Sequence, residues 1–172
     1  MNNLGGAFYI RSHTKMTHLT KISFGVTSAI VTSLAFIVSL SGNTEPRMPI
    51  IGSLLVFAVA DNISDSLGIH IFQESDLKKT GVVNTSTVSN FLTRFLVILS
   101  FVTVIYLVPI QLAVIISVVW GLSMLMTLTY LIAIERETKP LPAMIQHFAI
   151  AALVVAASFL LRSWIFATFS VF

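Results

Sequence analysis

The chain has no cysteine, which excludes a disulfide framework and a thiolate metal site and removes any cue to redox compartment. Charge is scarce too. Only 10% of the 172 residues are charged and 56% are hydrophobic, whereas a soluble domain carries about 25% charged residues. Phosphate loops, His-Glu-x-x-His and Gly-x-Ser-x-Gly are missing, so no enzyme activity is expected. An intramembrane protease would need a nucleophile–base pair or aspartates on two helices, and a lipid-modifying enzyme would need a catalytic cluster that these residues do not supply. The net charge of +3 is scattered, so nucleic acid is not an expected partner. The N-terminal stretch, residues 1–21, is basic and too polar for a signal-peptide core, and reads as a retained cytoplasmic segment.

What the chain has in abundance is long apolar runs, with a mean hydropathy of +0.94. Five can be marked: about 22–40, 49–72, 88–108, 110–134 and 143–169. Each is close to the ~20 residues that a helix needs to cross a bilayer core of ~30 Å. They lack the alternation of a membrane barrel, so helices are the spanning element expected. Ser41-Gly42-Asn43 with Pro46, and Pro109, punctuate the runs, and Asn84-Thr85-Ser86 offers helix-capping residues before the third. The expectation is an all-α integral membrane protein with residues 22–172 forming one five-helix domain.

Orientation follows from Lys and Arg in the short connections. Arg11, Lys15 and Lys21 precede the first run, Lys78 and Lys79 follow the second, and Arg136 and Lys139 follow the fourth. The other side has Arg47 alone in its first loop. This places the N-terminus in the cytoplasm and the C-terminus outside or in a lumen, with Trp164 suiting the outer interface. The host would be an inner or plasma membrane in a prokaryote and a vacuolar-type membrane in a eukaryote.

The second run is interrupted by polar residues in "AVADNISDSLGIHIFQES", residues 58–75. A carboxylate inside a span costs roughly 2.5–3.5 kcal/mol on insertion scales, so it faces protein or water. Asp61 and Asp65 are spaced i, i+4 and share a helix face with Ser64 and Gly68, and Gly68 would let another helix approach closely. At about 1.5 Å per residue, Asp65 is roughly 13 Å and Asp61 about 20 Å from the cytoplasmic end. Thr27, Ser28 and Thr32 of the first helix reach matching depths, so the first two helices could assemble an oxygen-rich site. Such oxygens suit Mn²⁺, Mg²⁺, Ca²⁺ or Fe²⁺, and paired carboxylates suit proton exchange. Glu74, with His70 and Asp76, forms either a cation-attracting mouth or a solvated helix end. Met124 and Met126 offer soft sulfur at mid-depth or simple packing. Arg162 is expected to snorkel, and Gln146 and His147 need only a surface role. The competing reading of the aspartates is that Arg94, at a depth similar to Asp65, neutralises one of them in a membrane scaffold or subunit that transports nothing.

In layout, this pattern resembles the vacuolar iron transporter family: five helices, a cytoplasmic N-terminus and the C-terminus opposite. Gly25-Val26-Thr27-Ser28-Ala29 stands where that family has Gly-x-x-Asp-Gly, with Ser28 at the aspartate. Residues 61–70 stand where the family has Gly-Ala-x-Ser-Met-Ala-x-Gly-Glu-Tyr. Ser64 and Gly68 match, Asp65 takes the methionine position and Ile69 the glutamate position. The connection "ESDLKKTGVVNTST" is too short for the cytoplasmic metal-binding domain of some members. The resemblance implies a homodimer in membrane lipid. It also implies an ion path near the first two helices that moves Fe²⁺ or Mn²⁺ against protons, with the metal as substrate and no permanently bound cofactor.

Overall fold

The computed structural model describes residues 18–75 and 80–169. Six α-helices and one π-helical turn hold most of these residues: α1 (His18–Leu40), α2 (Arg47–Val56), the π turn (Phe57–Asp61), α3 (Asn62–Ser75), α4 (Thr80–Leu107), α5 (Ile110–Glu135) and α6 (Pro140–Phe169). Five helical stretches among them are long and apolar enough to cross a membrane: Ser23–Leu40, Arg47–Gly68, Val88–Leu107, Ile110–Glu135 and Pro140–Phe169. The apolar runs thus become helices as their composition requires, and no strand occurs among the described residues. Two expectations are revised. The second run is not one uniform helix, because the π turn divides it. The third helix begins at Thr80 and runs straight through Asn84-Thr85-Ser86. Residues of these types cost at most about 0.7 kcal/mol each inside a helix, too little to impose a start there.

The helix ends are closed by local chemistry. Pro46 is the N-cap of α2, and Pro49 falls in its first turn, where proline removes no needed donor. Pro109, with ψ of 135°, breaks the chain between α4 and α5. Arg47 donates to the carbonyls of Tyr106 (3.2 Å) and Val108 (3.0 Å), serving the carbonyl end of α4. At the other end of the bundle α5 closes in a Schellman-type turn. Thr138 N–H reaches Ala133 O and Glu137 N–H reaches Ile134 O, with Glu137 in the left-handed region at φ 54°.

Helix α1 is the hub, packed against α4, α5, α6 and α2. Its Ile30, Leu34 and Ile37 meet Ile50 and Leu54 of α2, Ile98, Phe101 and Ile105 of α4, and Leu125 of α5 in one core. Close approach is possible because α5 turns Ala113, Ser117, Gly121, Thr129 and Ala133 inward at spacings of four or eight. A Cβ added at Gly121 would lie 3.0 Å from Leu34 and 3.1 Å from Phe101. Helix α6 buries little besides Ala151 and Ser158. Large apolar side chains such as Ile63, Leu96, Ile115, Leu153 and Leu160 face outward around the bundle, which is consistent with a membrane setting.

Candidate functional site

Asp61 closes the π turn and Asp65 lies one α-helical turn beyond it on α3. Both turn toward α4, where Arg94 is completely buried. One guanidinium takes both carboxylates: Nη2 donates to Asp61 at 2.8 Å and Nη1 donates to Asp65. The planar fork of arginine offers two separately placed nitrogens in fixed geometry, one for each carboxylate, where a lysine would bring a single nitrogen. The aspartate side chains stay partly open, 45% for Asp61 and 31% for Asp65. Phe57, from the π turn, places its ring 5.9 Å from the guanidinium carbon. Two carboxylates and one guanidinium leave the cluster one negative charge in excess, inside a candidate span.

The buried face of α3 is not the one that spacing suggested. Ser64 and Gly68 are exposed, and nothing lies within 4 Å of a Cβ built on Gly68. Among its described side chains the buried ones are Asn62 and Ser66, about 100° further round the helix. The physical reason is desolvation: an amide or hydroxyl enters the interior at far lower cost than an ion, so the aspartates take the rim of the face. Asn62 donates to Phe91 O at 2.9 Å. Asn90, one turn before Arg94 on α4, is 1% exposed. Neither atom of its amide has a protein partner, and the same holds for Asn62 Oδ1, Ser66 Oγ and Arg94 Nε. The seam between α3 and α4 therefore has hydrogen-bonding groups to offer beyond the ion pairs.

Helix α1 comes closest to this seam's polar groups at Gly25 among the described glycines. A Cβ there would lie 2.1 Å from Asn90 Oδ1 and 3.0 Å from Arg94 Cδ, so only glycine lets the two backbones come this close. Beyond that point α4 stands between α1 and α3, which do not form a packed pair. Thr27 and Ser28 are half-buried on α1 and make no hydrogen bond to either aspartate. Thr32 lines a groove toward α6 instead. Met124 packs on the apolar core from α5, and Met126 does the same. Of the eight expected site residues, the structure brings Asp61 and Asp65 together, leaves Ser64 on the outside of the same helix, and does not add Thr32 or Met124. Glu74 and His70 ride on α3 with side chains outside the described residues, and Asp76 lies outside them altogether. No three His, Cys, Asp or Glu side chains converge into a metal-binding group among the described residues.

Asp61 also opens onto a groove of about 450 Å³ between α1 and α2, lined by Phe36, Gly52, Ser53, Val56 and Ala60. Reasoning from spacing alone missed Asn62, Ser66 and Asn90, because asparagine and serine in a span give no charge signal to follow. It also gave His147 only a surface role. His147 Nδ1 lies 2.7 Å from Thr129 Oγ1, whose own hydrogen goes to Leu125 O. This hydrogen bond ties α6 to α5.

These features define a class: an all-helical bundle with five candidate membrane spans and an ion-pair cluster inside two of them, consistent with an integral membrane protein. No family model matches the chain, and neither a curated protein nor a solved structure is similar to it.

Proposed function

We propose that the protein carries cations across its membrane, exchanging a divalent metal of the Fe²⁺ or Mn²⁺ kind for protons. The observation that carries this reading is that one guanidinium serves two carboxylates, a formal imbalance of one charge. Arg94 balances one of the two aspartates that it bonds, and a further positive charge brings the cluster to neutrality or beyond. A site that is one charge short inside a span favours a mobile cation over a structural pair, since a structural pair would be neutral. The path follows α3 and α4, with Asp61, Asp65, Asn62, Ser66 and Asn90 supplying oxygens and Arg94 as the fixed counter-charge. Such oxygens suit hard and borderline divalent ions. The resemblance of its sequence pattern to vacuolar iron transporters is what suggests metal, proton exchange, and a homodimer with a cytoplasmic N-terminus.

A second reading is a membrane scaffold or subunit that transports nothing. It is favoured by the completeness of the Arg94 bonding, which accounts for both carboxylates rather than one. Metal-dependent thermal stability of detergent-purified protein separates the two. An ion that binds only the folded state raises the apparent melting temperature. Transport predicts stabilisation by Mn²⁺ or Fe²⁺ that disappears in Asp61→Asn/Asp65→Asn/Arg94→Gln, which removes the charge without stranding it. A scaffold predicts no metal effect in either protein.

A further inference from the structure

Thr32, expected beside the aspartates, instead lines a groove of about 430 Å³ between α1 and α6. Its walls are apolar, with Ala35 and Leu40 on α1 and Leu161, Ile165 and Phe166 on α6. At its mouth lies Arg162, half-buried inside the last candidate span. This arginine does not simply snorkel. Nη1 donates to Ser41 Oγ at 2.8 Å and reaches Val38 O at 3.5 Å, which holds the head against the carbonyl end of α1. The guanidinium carbon lies 5.2 Å from the centre of the Phe159 ring. Gly42 makes room for it, since a Cβ there would lie 2.5 Å from Nε and 2.9 Å from Cζ. Nε and Nη2 make no protein hydrogen bond, and no carboxylate pairs with Arg162 among the described residues.

An oriented, uncompensated cation at the mouth of an apolar groove calls for an amphiphile with an anionic head. We propose that this groove is a binding site for an anionic phospholipid, with one acyl chain between α1 and α6 and the phosphate on Nε and Nη2 of Arg162. Guanidinium donors match phosphate oxygens in pairs, and the bond is charge-assisted. Asn43, also lining the groove, adds an amide at headgroup level. The site is separate from the α3–α4 seam, and the proposal does not depend on what that seam carries.

The test is native mass spectrometry of the full chain from detergent, titrated with phosphatidylglycerol, with phosphatidylcholine, and with glycerol phosphate as the chain-free headgroup. The wild type is expected to retain phosphatidylglycerol at least tenfold better than phosphatidylcholine and to retain no glycerol phosphate. Arg162→Gln should abolish that preference, and Gly42→Ala should weaken it by displacing the guanidinium. Ala35→Phe, which fills the groove without touching Arg162, should lower retention of both lipids. Equal retention of the two lipids by the wild type, or an unchanged preference in both Arg162→Gln and Gly42→Ala, would overturn the proposal. Binding of glycerol phosphate equal to that of phosphatidylglycerol would overturn it as well, since the apolar groove would then contribute nothing.

Discussion

Neutralising one aspartate of the Arg94 cluster should have little effect on stability, whereas neutralising both should be costly. In the wild type, the completely buried guanidinium holds two carboxylates, which by formal charge leaves the cluster one negative charge in excess. Asp65→Asn or Asp61→Asn removes one charge-assisted hydrogen bond, worth about 1.5–3 kcal/mol. Each single change also removes the uncompensated in-span carboxylate, which costs about 2.5–3.5 kcal/mol. The two effects nearly cancel, so either variant should stay within about 1 kcal/mol of the wild type by these magnitudes. The double variant leaves a buried arginine with no counter-charge, since an asparagine oxygen can still accept a hydrogen bond but carries no charge, a loss of about 3–5 kcal/mol. The coupling between the sites is then at least about 1 kcal/mol, above the few tenths seen for independent positions. Thermal unfolding followed by fluorescence-detected size exclusion reads this directly. Additive behaviour, with each single change costing half of the double, would refute the charge count and with it the claim that the cluster is one charge short.

Further outcomes follow from the same geometry. Gly25→Ala should destabilise by about 1–3 kcal/mol, because its methyl meets Asn90 and Arg94, and Asn90→Ala should recover most of that in thermal unfolding. Asn90→Leu should leave stability unchanged or slightly raised, since neither amide atom has a protein partner to lose, yet should lower metal flux in proteoliposomes at least tenfold. Glu137→Gly should raise stability by about 1 kcal/mol by relieving the left-handed backbone at the end of α5, read as a higher melting temperature.

The spans were legible because each is a long apolar run bounded by proline or by polar turns, and those features act locally. The π turn was not, since Phe57–Asp61 differs from its surroundings by one extra residue in the turn and carries no composition signal. The order of helices in space was equally silent. Nothing in the residues said that α4 would stand between α1 and α3, and this moved Thr27, Ser28 and Thr32 away from the role given to them. Asp61 and Asp65 were legible because charge in a span stands out. Arg94 was weighed as a partner for one of them. That it serves both depends on two donors of one fork reaching across a helix pair, which spacing along a single chain does not encode.

The central claim is that the α3–α4 seam moves a cation, and simultaneous recording of Mn²⁺ uptake and internal pH in proteoliposomes tests it most directly. Reconstituted wild type should take up Mn²⁺ with proton movement in the opposite direction, and Asn90→Leu, folded to the same melting temperature, should do neither. Wild-type vesicles that take up Mn²⁺ no faster than protein-free vesicles, for Fe²⁺ as for Mn²⁺, would contradict the account and leave the scaffold reading in its place.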